Sequence, residues 1–267
     1  MEKKIYKIVF FGSDSICLPC LRYLQKKPLQ DSTINWELFC IVSQPDKKKG
    51  RGQNLQSNPV AEFAKANGIA LIQPEKPDLN LVNWMKDKKL DICLVMAYGH
   101  FLGKSLRDVF PCGIYNFHAS ELPFFRGASP IETALALGAK HTKISFMKIE
   151  KKMDGGKISD TQNITIDVND TALSLRIKIA ESVVPLVDRV LPKIIDDTLS
   201  WRVQNEKEAT YCRKLTKQDG SLDFSLTAEE IYNRWRAFYS WPSTYFYHNK
   251  QRIKVGKLRI YVESDLE

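Results

Sequence analysis

The sequence predicts an α/β fold: a doubly wound, mostly parallel sheet followed by a small, shortened β domain at the C-terminus. Three observations carry this. Short apolar runs of strand length alternate with helical patterns over most of the chain. Those runs end in glycine, proline or polar turns. Beyond residue 196 the composition shifts to a polar stretch, and a short aromatic-rich region follows.

The elements follow in order. Lys7-Ile8-Val9-Phe10-Phe11 is a continuous apolar run that stops at Gly12, with Ser13-Asp14-Ser15 behind it. That pattern is a buried strand, a tight turn and a helix N-cap, and the helix continues through Leu18, Leu21 and Leu24. A strand from Glu37 to Ser43 ends in Gln44-Pro45-Asp46, and a polar, basic loop runs from Lys47 to Asn58. Pro59 suits the first position of the next helix. Ile69 to Ile72 is a short strand, Asp78 to Lys88 a helix and Asp91 to Ala97 a strongly apolar strand. Gly113-Ile114-Tyr115 opens the strand that carries Asn116-Phe117-His118. A helix from Pro130 to Leu137, a strand pair at Thr142 to Ile149 and Lys157 to Ile166, and a long helix from Thr171 to Ile195 complete the first unit. We expect a first domain over 1–200, a linker over 201–208 and a second domain over 209–267. The second domain should hold a helix from Thr227 to Phe238 and short strands near Thr244 to Tyr247, Arg252 to Val255 and Leu258 to Val262.

The bulk composition excludes several classes. With 267 residues, 43% hydrophobic and 27% charged, the chain has the makings of one large core plus a small one, and is not a disordered tail. Its apolar runs are too short to span a bilayer, and Met1-Glu2-Lys3-Lys4 leads straight into a strand, so no membrane partner and a cytoplasmic location are expected. The formal charge of +9 favours a polyanionic partner. The six cysteines are scattered; Cys17-x-x-Cys20 has neither a second pair nor a nearby histidine, so reduced thiols and no metal are expected.

The chemistry concentrates at Asn116 and His118. Side chains at i and i+2 of a strand share a face, and this strand's carboxyl end is where open α/β sheets place ligands. An amide donor beside a group that relays protons suits acyl or formyl transfer to an amine. Asp154, in Met153-Asp154-Gly155-Gly156, is the candidate carboxylate for the imidazole, against the alternative of a turn aspartate bonding locally. Arg126 either binds an anion or fixes its loop. The run Lys47-Lys48-Lys49-Gly50-Arg51-Gly52 is either a solvated loop or an arm for phosphates. His100, His141 and His248 are expected to be structural or surface residues, and Trp235, Phe238, Tyr239 and Trp241 to pack a small core.

Taken together, Phe11-Gly12, Ser43-Gln44-Pro45-Asp46, the Gly50-Arg51-Gly52 loop, Ser57-Asn58-Pro59-Val60, Ala97-Tyr98-Gly99, Asn116-Phe117-His118, Arg126-Gly127-Ala128, Met153-Asp154-Gly155-Gly156 and Trp241-Pro242 resemble the methionyl-tRNA formyltransferases, a family that uses 10-formyltetrahydrofolate. The resemblance implies a Rossmann-like formyltransferase core with an OB-like C-terminal domain, and transfer of a formyl group from 10-formyltetrahydrofolate to the α-amine of methionyl initiator tRNA. It implies catalytic roles for Asn116, His118 and Asp154. Tyr98, Gly99, Ser120, Glu121, Leu122 and Pro123 would bind the folate, and Lys47, Lys48, Lys49 and Arg51 the tRNA; the chain would act as a monomer. It departs from the family at Ala119-Ser120-Glu121-Leu122-Pro123, where Gly-Ser-Leu-Leu-Pro is usual, and at Gly155-Gly156-Lys157, where Thr-Gly-Asp is. About sixty residues follow the linker, too few for a five-stranded barrel, so either a shortened domain or a truncated chain is expected. Two other readings stay open: a folate-dependent formyltransferase with a small amine acceptor, and a catalytically inactive RNA-binding relative.

Overall fold

The computed structural model describes residues 4–26, 34–49 and 54–261. In chain order the strands and helices are β1 (Ile5–Phe11), α1 (Leu18–Gln25), β2 (Asn35–Val42), β3 (Lys47–Lys49), β4 (Asn54–Gln56), α2 (Pro59–Ala66), β5 (Ala70–Ile72), α3 (Leu79–Asp87), β6 (Ile92–Val95), α4 (Lys104–Arg107), β7 (Ile114–His118) and β8 (Arg126–Gly127). They continue with α5 (Pro130–Ala136), β9 (His141–Lys148), β10 (Ile158–Thr165), α6 (Ala172–Ile195), β11 (Tyr211–Cys212), α7 (Ala228–Ala237), β12 (Tyr245–His248) and β13 (Gln251–Lys254).

Seven strands form the central sheet in the order β10-β9-β7-β6-β1-β2-β5. The pairs from β7 through β5 are parallel, and β9 and β10 add an antiparallel edge. Strand alternation builds two cores. Ile8, Phe10, Ile92 and Leu94 face α1, α5 and α6, while Val9, Phe11, Cys93 and Val95 face α3 and α4. Both faces are therefore covered, which is why these strands read as continuous apolar runs. α6 crosses the first core with Leu175, Ile179, Val183, Leu186, Val190 and Ile194 buried, one or two residues per turn. Its start is fixed by a capping box between Thr171 and Ser174.

Three expectations change. The basic segment 47–58 is no plain loop: Lys47–Lys49 pairs with Asn54–Gln56 as an antiparallel ribbon. Leu258 to Tyr261 form no strand, and Val262 lies outside the described residues. The third change concerns the polar stretch 201–208, which lies against the first domain instead of hanging between two. Arg202 exchanges backbone hydrogen bonds with Ile158, and Gln204 is only 5% exposed. Just beyond it, β11 pairs with β8, and α7 packs on α5. The described part of the C-terminal domain holds the antiparallel pair β12–β13 and the buried Trp235 and Phe238; Trp241 stays half exposed.

Candidate active site

β7 delivers Asn116 and His118 to the carboxyl end of the parallel strands, where they line one cavity of about 460 Å³. Val95, Met96, Ala97 and Tyr98 form an adjacent wall, because β6 is in register with β7 through Val95 and Asn116. The apolar run that ends β6 thus gives the cavity its greasy side, and the polar end of β7 gives it chemistry.

His118 is 7% exposed. Its Nε2 lies 3.0 Å from the Phe125 carbonyl oxygen, which can only accept, so this nitrogen carries a hydrogen. Nδ1 is left to exchange a proton, and the Asp154 carboxylate stands 3.8 Å from it. That separation is too long for a direct hydrogen bond and close enough for strong attraction once the ring is charged. Asp154 sits in the left-handed region at φ 48° and is the only acid the β9–β10 connection brings beside the imidazole among the described residues. Its Oδ2 accepts from the Gly127 backbone N–H at 2.8 Å.

Gly127 is itself constrained. Its φ is 120°, and a Cβ there would meet the Cys212 carbonyl oxygen at 2.1 Å, so β11 can approach β8 only where a side chain is missing. Neighbouring Arg126 has no exposed side chain surface. Its Nε and Nη2 donate to Gln204 Oε1 at 3.0 and 2.8 Å, and Nη1 and Nη2 donate to the two carboxylate oxygens of Glu206 at 3.0 and 3.1 Å. Of the two sequence readings for Arg126, the geometry supports loop fixing. Gln204, Glu206 and Tyr211, whose hydroxyl also accepts from Arg126 at 3.2 Å, were not foreseen from the sequence. The one signal was an arginine that needs acceptors, and burial is not visible in a sequence.

Tyr98 and Gly99 line the same cavity, together with His100. The Tyr98 ring meets Phe11 edge-on, and burial pushes its phenol up to about 12. Its hydroxyl has no hydrogen-bond partner among the described residues. Ser120, Glu121, Leu122 and Pro123 do not line the cavity. The Ser120 hydroxyl donates to the Phe124 carbonyl, and Leu122 packs with Met147 and Ile158. Glu121 pairs with Lys143, and the Pro123 carbonyl accepts from the Thr210 N–H. This loop shapes the site from behind.

Lys47 and Lys48 are exposed on the ribbon, Lys49 lies on the same strand, and Arg51 is outside the described residues. Gln44 links ribbon to cavity: its Nε2 donates to the Tyr98 carbonyl at 2.7 Å, and its Oε1 accepts from Lys47 Nζ at 2.8 Å. Arg176 of α6 also borders the cavity, held between Asp14 at 3.4 Å and Glu132 at 3.7 Å. Among the described residues no three His, Cys, Asp or Glu side chains gather as a metal site, and no helix is long and apolar enough to cross a membrane.

Residues 6–191 match the formyl transferase family, and residues 214–267 match the formyl transferase C-terminal domain. The methionyl-tRNA formyltransferase of Sulfurihydrogenibium sp. (strain YO3AOP1) is 33% identical over 262 residues, covering 97% of this chain and 82% of that protein. That of Francisella philomiragia is 36% identical over 264 residues, covering 98% and 81%. Among solved structures, the methionyl-tRNA formyltransferase from Clostridium thermocellum superposes with a TM-score of 0.62 at 17% identity, covering 96% of this chain and 94% of that one. A 4-N formyltransferase from Francisella tularensis gives 0.72 at 15%, covering 96% and 99%. At such identities the superpositions speak for the shared fold, and the sequence matches decide membership: the chain belongs to the formyl transferase family, among the methionyl-tRNA formyltransferases.

Proposed function

We propose that this chain transfers a formyl group from 10-formyltetrahydrofolate to the α-amine of methionyl initiator tRNA. The observation that carries the reading is the cavity in which Asn116, His118 and Asp154 meet, on a chain whose relatives carry that activity in their names. A folate-type donor fits the cavity's mixture of apolar wall and few polar groups, among them Asn116, His118 and Asp154.

The reaction breaks the bond between the formyl carbon and N10 and forms one between that carbon and the amine. The amine loses a proton and N10 gains one, so the site must move a proton and hold a transient oxyanion. Asn116 donates to that oxyanion through its side-chain amide. His118 relays the proton through Nδ1, and Asp154 balances the imidazolium. An α-amine titrates near 7.7–8.0, so a substantial share is neutral without a strong base. The larger barrier is charge on oxygen, which is where a fixed donor contributes most.

The exposed lysines Lys47 and Lys48 support a tRNA-binding role for the ribbon, and we assign the same role to Lys49 and Arg51, their neighbours in sequence. A small amine acceptor would need no such arm, and the named relatives favour the tRNA reading. We also propose that the chain acts as a monomer, in the cytoplasm, where the proposed substrates are met.

The test is formyl-methionine release from charged initiator tRNA in the presence of 10-formyltetrahydrofolate, with His118→Ala alongside. Transfer by the parent and a fall on the order of 10²–10³ in the variant are expected. A parent that consumes the folate and leaves methionyl-tRNA untouched would refute the acceptor.

A further inference from the structure

We propose that Gln204 is a positioning residue for the Asp154 carboxylate, joining the turn that carries Asp154 to the buried guanidinium of Arg126. This rests on the reading above, in which Asp154 serves His118. Gln204 itself does not line the cavity.

The bonds close a ring. Gly127 N–H donates to Asp154 Oδ2 at 2.8 Å, so one end of Asp154 is held by the strand β8. The preceding residue, Arg126, donates twice to Gln204 Oε1. Gln204 Nε2 then donates to the carbonyl oxygens of Asp154 at 2.8 Å and Gly156 at 2.7 Å. The dipeptide Arg126-Gly127 therefore grips the Asp154 turn at its side chain directly and at its backbone through Gln204.

The amide is fully used. Its oxygen takes two hydrogens from one guanidinium, and its nitrogen gives two hydrogens to two carbonyls. Exchanging oxygen and nitrogen would set NH₂ against guanidinium and oxygen against two carbonyls, so only one orientation satisfies every partner. Arg126 is wholly buried and Gln204 nearly so, which keeps water from replacing these bonds.

The turn needs such support. Asp154 has a positive φ, a conformation that an L-residue holds only when its surroundings impose it. At Gly156 a Cβ would come within 1.9 Å of the Lys148 carbonyl, so the turn is also pressed close to β9. With the Gln204 bonds gone, the backbone at Asp154 loses its only side-chain donor among the described residues. The carboxylate then hangs from the Gly127 N–H alone, and its 3.8 Å spacing from His118 is no longer set.

Two variants separate this role from general stability. Gln204→Met keeps the length of the side chain and removes both ends of the bridge. Gln204→Glu keeps the acceptor for Arg126 and turns an oxygen toward the two carbonyls, so it opens the ring on one side and leaves the cation neutralised. If Gln204→Met does not fold, Gln204→Glu carries the test. Formylation of methionyl initiator tRNA is measured for each, and for Asp154→Asn and the Gln204→Glu/Asp154→Asn double variant. We expect kcat to fall on the order of 10- to 100-fold in folded Gln204 variants, with KM for the folate little changed, because the wall of the cavity is intact. In the Asp154→Asn background, Gln204→Glu should cost nothing further. A folded Gln204→Glu with parental kcat, beside a slow Asp154→Asn, would overturn the proposal. So would a loss of the same size in both backgrounds, which is what a merely structural role gives. Parental kcat in Asp154→Asn would remove that carboxylate from the chemistry and take both readings down together.

Discussion

A guanidinium with no exposed surface needs a carboxylate beside it, and Arg126 has Glu206. The hydrogen bond from Arg126, reinforced by one from Lys152, holds the Glu206 carboxyl down to about 2 from an ordinary 4.5. A folded-state value below the unfolded one stabilises at pH above the unfolded value, and the contribution disappears as pH falls through the folded value. The chain should therefore lose stability between 4.5 and about 2 through this group, and Glu206→Gln should flatten that part of the acid limb. Urea midpoints across the window, parent against variant, are the measurement; parallel curves would mean that Arg126 does not depend on Glu206. The residues of the candidate site differ in how legible they are. Asn116 and His118 could be read because strand periodicity puts i and i+2 on one face. Asp154 could be nominated from its glycine turn, but the distance to His118 depends on how a β9–β10 connection folds back. Gln204 was invisible: its partners are at Arg126, Asp154 and Gly156, and nothing in a polar stretch marks one amide as buried.

Among the elements, the β3–β4 ribbon shows what composition hides. Lys47-Lys48-Lys49 has no alternation of apolar and polar residues, so it carries no strand signal, and its pairing with Asn54–Gln56 comes from backbone hydrogen bonds. Pairing turns a string of charges into a projecting surface whose base is bolted to Gln44 and, through it, to Tyr98. On the proposed function, Lys47→Glu and Lys48→Glu should weaken tRNA binding and leave kcat at saturating tRNA near the parental value. Removing each lysine–phosphate pairing should reduce the slope of log affinity against log salt by about 0.9. A parental slope in the double variant would show that these lysines are solvated and take no part. The loop after β7 shows the reverse. Ser120 to Pro123 look like a pocket lining when read beside His118, yet their hydroxyl, carbonyl and leucine side chain are committed to the interior.

At the scale of the whole molecule the alternation of strands and helices was enough to give the parallel sheet, because apolar runs covered on both faces leave few other arrangements. The way the C-terminal part attaches was not readable. It depends on a two-residue parallel pairing between β8 and β11 and on α7 lying against α5, associations too short or too generic to leave a pattern. The 204–212 passage has a further consequence for how such proteins can be recombined. A chimera joined at residue 200 would import a foreign strap, and with it a foreign partner for Arg126 and for the Asp154 turn. A chimera joined at residue 213 would exchange the C-terminal module while inheriting Gln204, Glu206 and Cys212 from the same parent as the sheet. Formylation by the second kind and its collapse in the first, with comparable melting curves, is the expected result. The heritable unit of catalysis in this chain would then run past the seam that composition suggests, to Cys212, where the pairing of β11 with β8 ends.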